Sequence, residues 1–339
     1  MLNRFSLVSI DDQYSDNVIL DCGVPQGSIM GPLIFTTYIL PLGNILRKYG
    51  VSFHIYADDT QIYISFDPKI QGNCSDALKT LEFCICEIQS WMSANMLKMN
   101  MEKTILIFSS KHNLSLLPNL LLHVGTTVVK PTKSVRNLGI MMDADGSMTS
   151  QVGGLCRTLN FQLRNIARIR KYLDQDSCHH IVRSLVTSRL DYGNSLLFGI
   201  TGAQFKKLQR IQNKAARLIC GASRNEHISP YLAKLHWLRV HQRVTFKLLV
   251  FMYNCVYGSA PKYVSSGIVF NHTHIRRNLR STTDLTRLHI PKTKRAFGDR
   301  AFHVAGPKLW NDLPIHIRKS QSISTFKKLL KTHLFSQNM

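Results

Sequence analysis

Acidic residues are scarce in this chain, and most of them lie in its first part. Of 339 residues, 43 are Lys or Arg and only 20 are Asp or Glu, a formal net charge of +23. Residues 1–150 carry 11 basic and 13 acidic side chains, whereas the rest carry 32 basic and 7 acidic ones. This excess predicts contact with a polyanion, and it favours nucleic acid over a merely solvated basic surface.

Cysteine is present, but its spacing matches neither a disulfide framework nor a zinc site. The eight cysteines include no Cys-x-x-Cys pair, and no Cys/His run has zinc-knuckle spacing. Cys178 lies beside His179 and His180, but no second cysteine is close to it in sequence. This usage argues against a disulfide-stapled secreted domain and favours reduced thiols in the nucleus or cytoplasm.

The sequence also has little that reads as a leader or a membrane span. MLNRFSLVSIDDQYSD has no continuous apolar region of the signal-peptide kind. Residues 22–46 carry no charge over a length that could span a bilayer, but three prolines and four glycines interrupt them. We therefore predict a buried loop and a core helix there, in a protein that is neither secreted nor membrane-spanning.

Hydrophobic periodicity predicts an α+β first part and a helical second part. Ser28 is expected to cap a helix that has Pro32 in its first turn and runs towards Arg47. Other strands are expected at FSLVSI, NVILDCGV and 103–110, with a small hairpin over 120–129. The other predicted helices cover 76–93, 151–172, 175–190, 203–220, one or two segments of 228–258, and FKKLLKTHLF, with an extended basic segment over 259–300.

One predicted hairpin carries two adjacent carboxylates. In VSFHIYADDTQIYISF (51–66), Asp58 and Asp59 lie at a turn between two apolar, β-forming segments. Neighbouring carboxylates repel each other, and a bound cation relieves that repulsion. Mg²⁺ prefers hard oxygen ligands, and two such ions about 3.5–4 Å apart can clamp the attacking and leaving oxygens of phosphoryl transfer. The pattern favours a metal-binding turn over a solvated hairpin tip.

A glycine-rich loop lies upstream of this hairpin. In GVPQGSIMGPLIF, glycines let the backbone approach a ligand closely, and Gln26 offers a donor and an acceptor to a base or sugar. Either motif alone is a weak signal. In this order and spacing, GVPQGSIMGPLIF and YADDTQIYIS resemble the template- and nucleotide-contacting loop and the catalytic hairpin of reverse transcriptases from LINE-type, non-LTR retrotransposons.

The resemblance extends over nearly the whole chain. WMSANMLKMNMEKTILIF is similar to the segment that supports the nucleotide site, and SVRNLGIMMDADGSM to the primer-grip strands. SRLDYGNSLLFG, LQRIQNKAARLI, LHWLRVHQR and AFHVAGPKLWNDLP resemble the family's C-terminal tract. The resemblance implies a partial polymerase palm, an antiparallel sheet with packed helices, in residues 1–150. It also implies a helical thumb-like region over 151–225. A basic C-terminal region, partly helical and partly extended, follows over 226–339.

Individual residues take implied roles from the resemblance. Asp58 becomes the main catalytic ligand of a two-ion Mg²⁺ site, with Asp59 as its less essential neighbour. Gln26, Gly27 and Tyr56 would line the nucleotide and template pocket. Lys103 corresponds to a lysine that assists the pyrophosphate leaving group, with a solvated lysine at a strand end as the equal alternative. The implied partners are an RNA template, a DNA primer and deoxynucleotides.

The chain departs from the family pattern at one place. The family's palm has a third carboxylate on a strand upstream of the glycine-rich loop. This sequence has only Asp11, Asp12, Asp16 and Asp21 there, in a different context. The Mg²⁺ site is therefore expected to be incomplete, as in an N-terminally truncated element. We predict an RNA-directed DNA polymerase by descent that is inactive alone. The alternative is a non-catalytic RNA- or DNA-binding remnant that uses the basic second part.

Basic residues at helical spacing predict the nucleic-acid surface. They alternate with apolar positions in 151–172 and 203–220, as one face of a thumb that follows a phosphate backbone would require. Residues 276–300 have the composition of an arm that orders on nucleic acid. His236 and Trp237 offer a stacking platform, although LHWL favours Trp237 as core. The predicted backbone contacts are Arg157, Arg164, Arg168, Arg170, Lys171, Lys206, Lys207, Arg210, Lys214 and Arg217.

Overall fold

The chain divides into two compact units, Met1–Lys133 and Ser134–Met339. A computed structural model describes residues 5–20, 23, 27–67, 70, 72–104, 106, 120–271, 284–294 and 297–337. Each unit has its own hydrophobic clusters. The finer division into a palm to residue 150, a thumb to residue 225 and a C-terminal region stays a prediction.

The first unit mixes helices with small antiparallel sheets, so the predicted α+β class is confirmed. Its strands pair as β1 with β4, β2 with β3, β5 with β6 and β7 with β8. The predicted hairpin over 120–129 is present as β7–β8, whereas the predicted strand over 103–110 lies mostly outside the described residues. The elements are β1 Phe5–Ser6, β2 Ser9–Ile10, β3 Gln13–Tyr14, β4 Val18–Ile19, α1 Gly31–Ile39, α2 Leu42–Lys48, β5 Ser52–Tyr56, β6 Asp59–Tyr63, α3 Asn73–Ala94, β7 Leu122–Val124 and β8 Thr127–Val129.

Helix α3 organises the core of the first unit. Its apolar residues recur at spacings of three and four, which confirms the helix predicted over 76–93. Leu78 and Ile85 pack with β7, while Cys84 and Ile88 pack with α2. Lys48 of α2 also bonds Glu87 of α3 at 2.7 Å. Helix α3 therefore joins the β7–β8 hairpin and α2 through two of its faces.

The helix after the glycine-rich loop differs from the prediction. Met30 rather than Ser28 precedes its first residue, and no side chain caps it. It ends at Ile39, because Pro41 lacks the N–H that would continue the hydrogen-bond ladder, and α2 begins anew. The expectation of a core helix is wrong for α1, because only Ile39 is buried and Leu33 is 59% exposed. Among the described helices, none combines the length and the apolar character needed to cross a bilayer.

The described residues of the second unit form helices, one hairpin that pairs β9 with β10, and an isolated bridge between Phe270 and Leu288. The helices predicted over 151–172, 175–190 and 203–220 are confirmed, and a π-helical turn over Arg183–Thr187 lies within the second of them. Of the predicted basic arm, residues 276–283 and 295–296 lie outside the described residues. The elements are β9 Ser134–Asn137, β10 Ile140–Asp143, α4 Thr149–Ile169, α5 Gln175–Val182, α6 Ser188–Asp191, α7 Gly202–Cys220, α8 Ser229–Lys234, α9 Val240–Val256, α10 Lys262–Ser265, α11 Phe302–Asn311, α12 Ile315–Arg318 and α13 Ile323–Ser336.

Helix α9 lies between two hydrophobic clusters of the second unit. Its Val244 packs in a cluster with α4, α5 and α7, and its Leu249 and Met252 pack in a cluster with α11 and α13. Trp310 of α11 is fully buried and donates Nε1–H to the carbonyl of Thr286 at 2.9 Å. One helix thus holds both parts of the core together.

Hydrogen bonds in the second unit join residues that are far apart in sequence. The guanidinium of Arg300 donates to the carbonyl of Phe198 at 2.9 Å and to that of Gly146 at 2.6 Å. Gln242 of α9 donates its side-chain amide to the carbonyl of Leu334 in α13. Each bond joins segments about 90 or more residues apart in sequence, so the last helices complete the packing of the first ones.

An ion pair between a buried arginine and a half-buried aspartate fixes the segment before α11 to α12. Arg318 is 4% exposed and contacts the carboxylate of Asp284 at 2.7 Å. Its other nitrogens donate to the hydroxyl of Thr286 at 2.7 Å and to the carbonyl of Leu313 at 3.0 Å. Burial disfavours the charged carboxylate, but hydrogen bonds from Thr286 and Arg318 outweigh it and hold the pKa of Asp284 below its ordinary value.

Candidate catalytic hairpin and nucleic-acid interface

The two candidate metal ligands lie at the tip of the β5–β6 hairpin. Tyr56 pairs with Asp59 as the last pair of the register, so Ala57 and Asp58 form a two-residue turn. Both carboxylates are exposed to solvent. Ala57 has a φ of 51° and Asp58 does not share its positive sign. This is the pattern of a type II′ turn, in which glycine normally takes the first central position.

One face of this hairpin packs on the core of the first unit and so holds the turn in place. Phe53, Ile55 and Ile62 are half-buried and pack with α2 and α3. Tyr56 and Tyr63 point to the other face and are exposed. The predicted burial of the flanking segments therefore holds for alternate residues only, as an antiparallel hairpin with one solvated face requires.

Ala57→Gly is expected to stabilise the first unit. A non-glycine residue in the left-handed region costs about 1–2 kcal/mol, and the extra freedom of glycine in the unfolded chain offsets about 0.4–1 kcal/mol of that. We expect a net gain of about 0.5–1 kcal/mol in the free energy of urea unfolding. The control is Ser52→Gly in β5, which is expected to lose about 0.5–1 kcal/mol. Equal losses in both variants would contradict strain at Ala57.

The two hairpin carboxylates are candidate ligands for a divalent ion. Asp58 and Asp59 offer hard carboxylate oxygens, which suit a divalent ion. In the part of the chain that the structure describes, no three His, Cys, Asp or Glu side chains converge on one point. Asp11 and Asp12 form the exposed turn between β2 and β3, and Asp16 follows β3. The donor set fits two carboxylates of a two-ion site and falls short of the complete site.

Other predicted site residues make no hydrogen bond or ion pair with this turn as far as the described residues go. Lys103 is exposed and ends a 3₁₀ turn over Met101–Lys103, which Asn100 caps. Gly27 is exposed and has a φ of 86°, a backbone conformation that favours glycine. Gln26 lies outside the described residues. Their roles at the nucleotide pocket stay predictions.

Helices α4 and α7 pack side by side and present a basic surface. Neither helix contains Asp or Glu. On each helix the exposed cations recur at spacings of three, four and seven, so they fall on one stripe. Lys214 of α7 donates to the side-chain oxygen of Asn160 on α4 at 2.8 Å, which brings the two stripes together. We call this surface the α4–α7 basic face: Arg157, Arg164, Arg168, Lys171, Lys206, Lys207, Arg210 and Lys214.

No carboxylate among the described residues forms an ion pair with a cation of the α4–α7 basic face. The four ion pairs found within the described residues all lie elsewhere. An uncompensated stripe of cations raises the local potential and attracts polyanions, with binding that weakens as salt rises. A row of exposed cations can follow a phosphate backbone, and contacts to phosphate do not distinguish one nucleotide sequence from another.

Two of the ten predicted backbone contacts are engaged inside the protein instead. Arg170 donates to the carbonyls of Leu218 and Ile219 at 2.8 and 3.2 Å, which satisfies the last turn of α7. Arg217 donates to two carbonyls of the loop after α7, at 3.2 and 2.9 Å. Both arginines are half-buried and hold helix ends, so the expectation that they face phosphate is not met.

The predicted stacking pair is divided between core and surface. Trp237 is 9% exposed and packs in the core, which confirms the core interpretation. His236 is exposed, with a φ of 53°. Its N–H donates to the carbonyl of Ala233, and that of Trp237 to the carbonyl of Leu232, both at 2.9 Å. This Schellman motif ends α8 with histidine at the position that glycine usually takes.

Sequence reasoning missed a cavity in the second unit that polar and apolar side chains line together. It has a volume of about 350 Å³. The only signal for it was the polar DYGN stretch, residues 191–194, inside an otherwise apolar helical region. We call it the DYGN cavity, and its lining residues are Asp191, Asn194, His236, Leu238, Arg243, Phe246, Lys247 and Lys331.

Known proteins similar to this chain are polymerases of mobile elements. Residues 2–142 match the family of reverse transcriptases (RNA-dependent DNA polymerases). The probable RNA-directed DNA polymerase from transposon BS of Drosophila melanogaster is 24% identical over 225 residues, 64% of this chain and 24% of that protein. The corresponding protein from transposon X-element is 22% identical over 205 residues, 59% of this chain and 22% of that protein. No solved structure matches significantly.

The family segment 2–142 includes both motifs singled out in the sequence. The chain spans about a quarter of the length of the curated relatives. The aligned stretch of 225 residues is longer than the family segment 2–142, so the similarity reaches into the second unit. Members of the family generally use divalent metal ions. Residues 2–142, with the glycine-rich loop and the YADD hairpin, therefore match a reverse transcriptase domain, and the similarity to transposon polymerases supports a fragment of the LINE type.

Proposed function

We propose that this chain acts in RNA-directed DNA synthesis, with an RNA template, a DNA primer and deoxynucleotides as its substrates. The observation that carries the proposal is the pair Asp58 and Asp59 at the tip of a packed hairpin, inside the family segment. The α4–α7 basic face supports it, because it offers the second unit a contact to the phosphate backbone.

Each part of the proposed site has its own task. Asp58 is the main ligand of Mg²⁺ and Asp59 the second, and the bound ions would neutralise charge on the reacting phosphates. The packed hairpin keeps both carboxylates in one place, and positioning is what nucleotidyl transfer needs most. Tyr56, Gln26 and Gly27 line the nucleotide and template pocket, and Lys103 lies near the leaving pyrophosphate.

The incomplete donor set predicts that the chain does not polymerise alone. On poly(rA)/oligo(dT) with Mg²⁺ or Mn²⁺, we expect dTMP incorporation no higher than in a protein-free control. Binding of the same template–primer is expected to be saturable and unchanged in Asp58→Ala. Robust synthesis that Asp58→Ala abolishes would overturn the incomplete site, and absence of binding would overturn the role of the basic face.

A non-catalytic RNA- or DNA-binding role is the second candidate. The acid-free α4–α7 basic face favours it, because that face needs no metal to bind a phosphate backbone. The two functions separate when the upstream palm segment of a related polymerase is added in trans. Synthesis that appears and depends on Asp58 supports the catalytic role. Unchanged binding without synthesis supports the second one.

A further inference from the structure

Two exposed lysines without an ion-pair partner among the described residues border the DYGN cavity. Arg243 binds Asp191 through two nitrogens, with Nε 2.7 Å from Oδ1 and Nη2 on Oδ2, so this pair neutralises itself. Lys247 and Lys331 also line the cavity, and neither takes part in an ion pair found among the described residues. Their ammonium groups lie 5.2 and 5.9 Å from the ring centroids of neighbouring phenylalanines. The cavity therefore suits an anionic ligand.

Asn194, another lining residue of this cavity, has an unsatisfied hydrogen-bond acceptor. It is 5% exposed, and its Nδ2 donates to Asp191 Oδ1 at 3.3 Å. Its Oδ1 is buried and has no hydrogen-bond partner in the part of the chain described. A buried acceptor without a donor destabilises the folded protein, and a turn of the Asn194 side chain towards a ligand donor in the cavity would remove that cost.

His236 contributes a strained residue to the lining. It holds the left-handed position that ends α8, which glycine would fill without strain. Backbone strain of this kind clusters at ligand sites, where the side chain is needed. The imidazole lines the DYGN cavity together with the two lysines.

We propose that the DYGN cavity binds a nucleoside monophosphate unit, either a free nucleotide or the phosphorylated end of an RNA or DNA strand. Lys247 and Lys331 hold the phosphate, and His236 donates a further hydrogen bond to it. A sugar hydroxyl or base amino group donates to Asn194. Leu238 and Phe246 form the apolar wall against the base. A volume of about 350 Å³ lies within the usual range of small-molecule sites.

Calorimetric titration of the full chain with AMP, adenosine and a 5′-phosphorylated trinucleotide tests the proposal. We expect saturable AMP binding that is about tenfold tighter than adenosine binding, because the phosphate makes charge-assisted hydrogen bonds. Lys247→Gln combined with Lys331→Gln should weaken AMP binding by about tenfold or more. The tighter of AMP and the trinucleotide identifies the source of the phosphate. Equal binding of adenosine and AMP, or no saturable binding of either phosphate probe, overturns the proposal.

The matched control removes the same two charges from the α4–α7 basic face, as Lys206→Gln with Lys214→Gln. This pair should lower the affinity for a long RNA–DNA duplex and leave AMP binding unchanged. An equal loss of AMP binding in both pairs would show a general charge effect and overturn the cavity site. Loss of duplex binding with AMP binding intact separates this cavity from the proposed function of the basic face.

His236→Gly tests whether a loss of AMP binding could come from unfolding. Relief of the left-handed strain should raise the melting temperature by about 2–4 °C, while AMP binding weakens. Weaker binding by a more stable protein cannot come from unfolding. His236→Gly with wild-type AMP affinity would remove His236 from the site, and together with unaffected binding in Lys247→Gln/Lys331→Gln it would overturn the assignment.

Discussion

Replacing Lys206, Arg210 and Lys214 together by glutamine is expected to lower the affinity for an RNA–DNA duplex by about two orders of magnitude. Each phosphate contact contributes roughly fivefold to binding at about 0.15 M salt through counterion release. The three side chains lie on one stripe of α7, exposed and without a carboxylate partner among the described residues. Fluorescence anisotropy at several salt concentrations should also show the slope of log K against log salt become shallower by about three.

Two controls separate this effect from net charge and from folding. Lys262→Gln/Lys319→Gln/Lys327→Gln removes the same charge from exposed positions elsewhere in the second unit, and it should leave the slope nearly unchanged. Arg170→Gln should leave the slope unchanged as well but lower the melting temperature, because the carbonyls that end α7 lose their donor. Equal loss of affinity in both triple variants would show that only total charge matters.

Arg318→Met is expected to destabilise the second unit by about 3 kcal/mol, since it leaves the half-buried carboxylate of Asp284 with only Thr286 and the longer contact to Arg287. In the wild type, the lowered pKa of Asp284 contributes stability that is fully present above the ordinary carboxyl pKa. That stability is lost as pH falls through the lower, folded-state value. Both pH 7 and pH 5 lie above the ordinary carboxyl pKa, and Thr286 still donates to the carboxylate in the variant, so the destabilisation should be nearly the same at these two pH values. Urea unfolding at both pH values measures it.

A double variant checks the physical cause. Asp284→Leu combined with Arg318→Met removes both charges and fills the site with apolar atoms. It should recover most of the lost stability, because a buried pair replaced as a whole costs far less than a buried charge left alone. A double variant as unstable as Arg318→Met alone would mean that the loss comes from packing or from the bonds to Thr286 and Leu313.

Local signals predicted the elements whose burial follows a regular period. Helix α7 has its apolar stripe and a capping box of Thr201 and Gln204, so its bounds fall within a residue of the prediction. The YADD turn was equally predictable, because its two strands pair with each other and need no distant partner. Where an element depends mainly on its own residues, the sequence was a sufficient guide.

Other features depend on contacts that a local pattern does not encode. Arg170 and Arg217 share the spacing of the basic stripe, yet both turn back to carbonyls at helix ends. Helix α1 is apolar enough for a core but lies exposed, since what covers a face is decided by the rest of the fold. The DYGN cavity draws on residues from Asp191 to Lys331, and no window of the sequence shows that they meet.

The hydrogen bonds of Arg300 and Gln242 also bear on how fast the second unit folds. Their partners are Phe198, Gly146 and Leu334, so the loops that these bonds close are long. Helices α4 and α7 form locally within microseconds, but on the ribosome Leu334 follows them by roughly 10 s. The basic stripes are therefore synthesised and charged well before the last helix packs against α9 and α11. Nucleic acid present during translation meets that surface ahead of the finished fold.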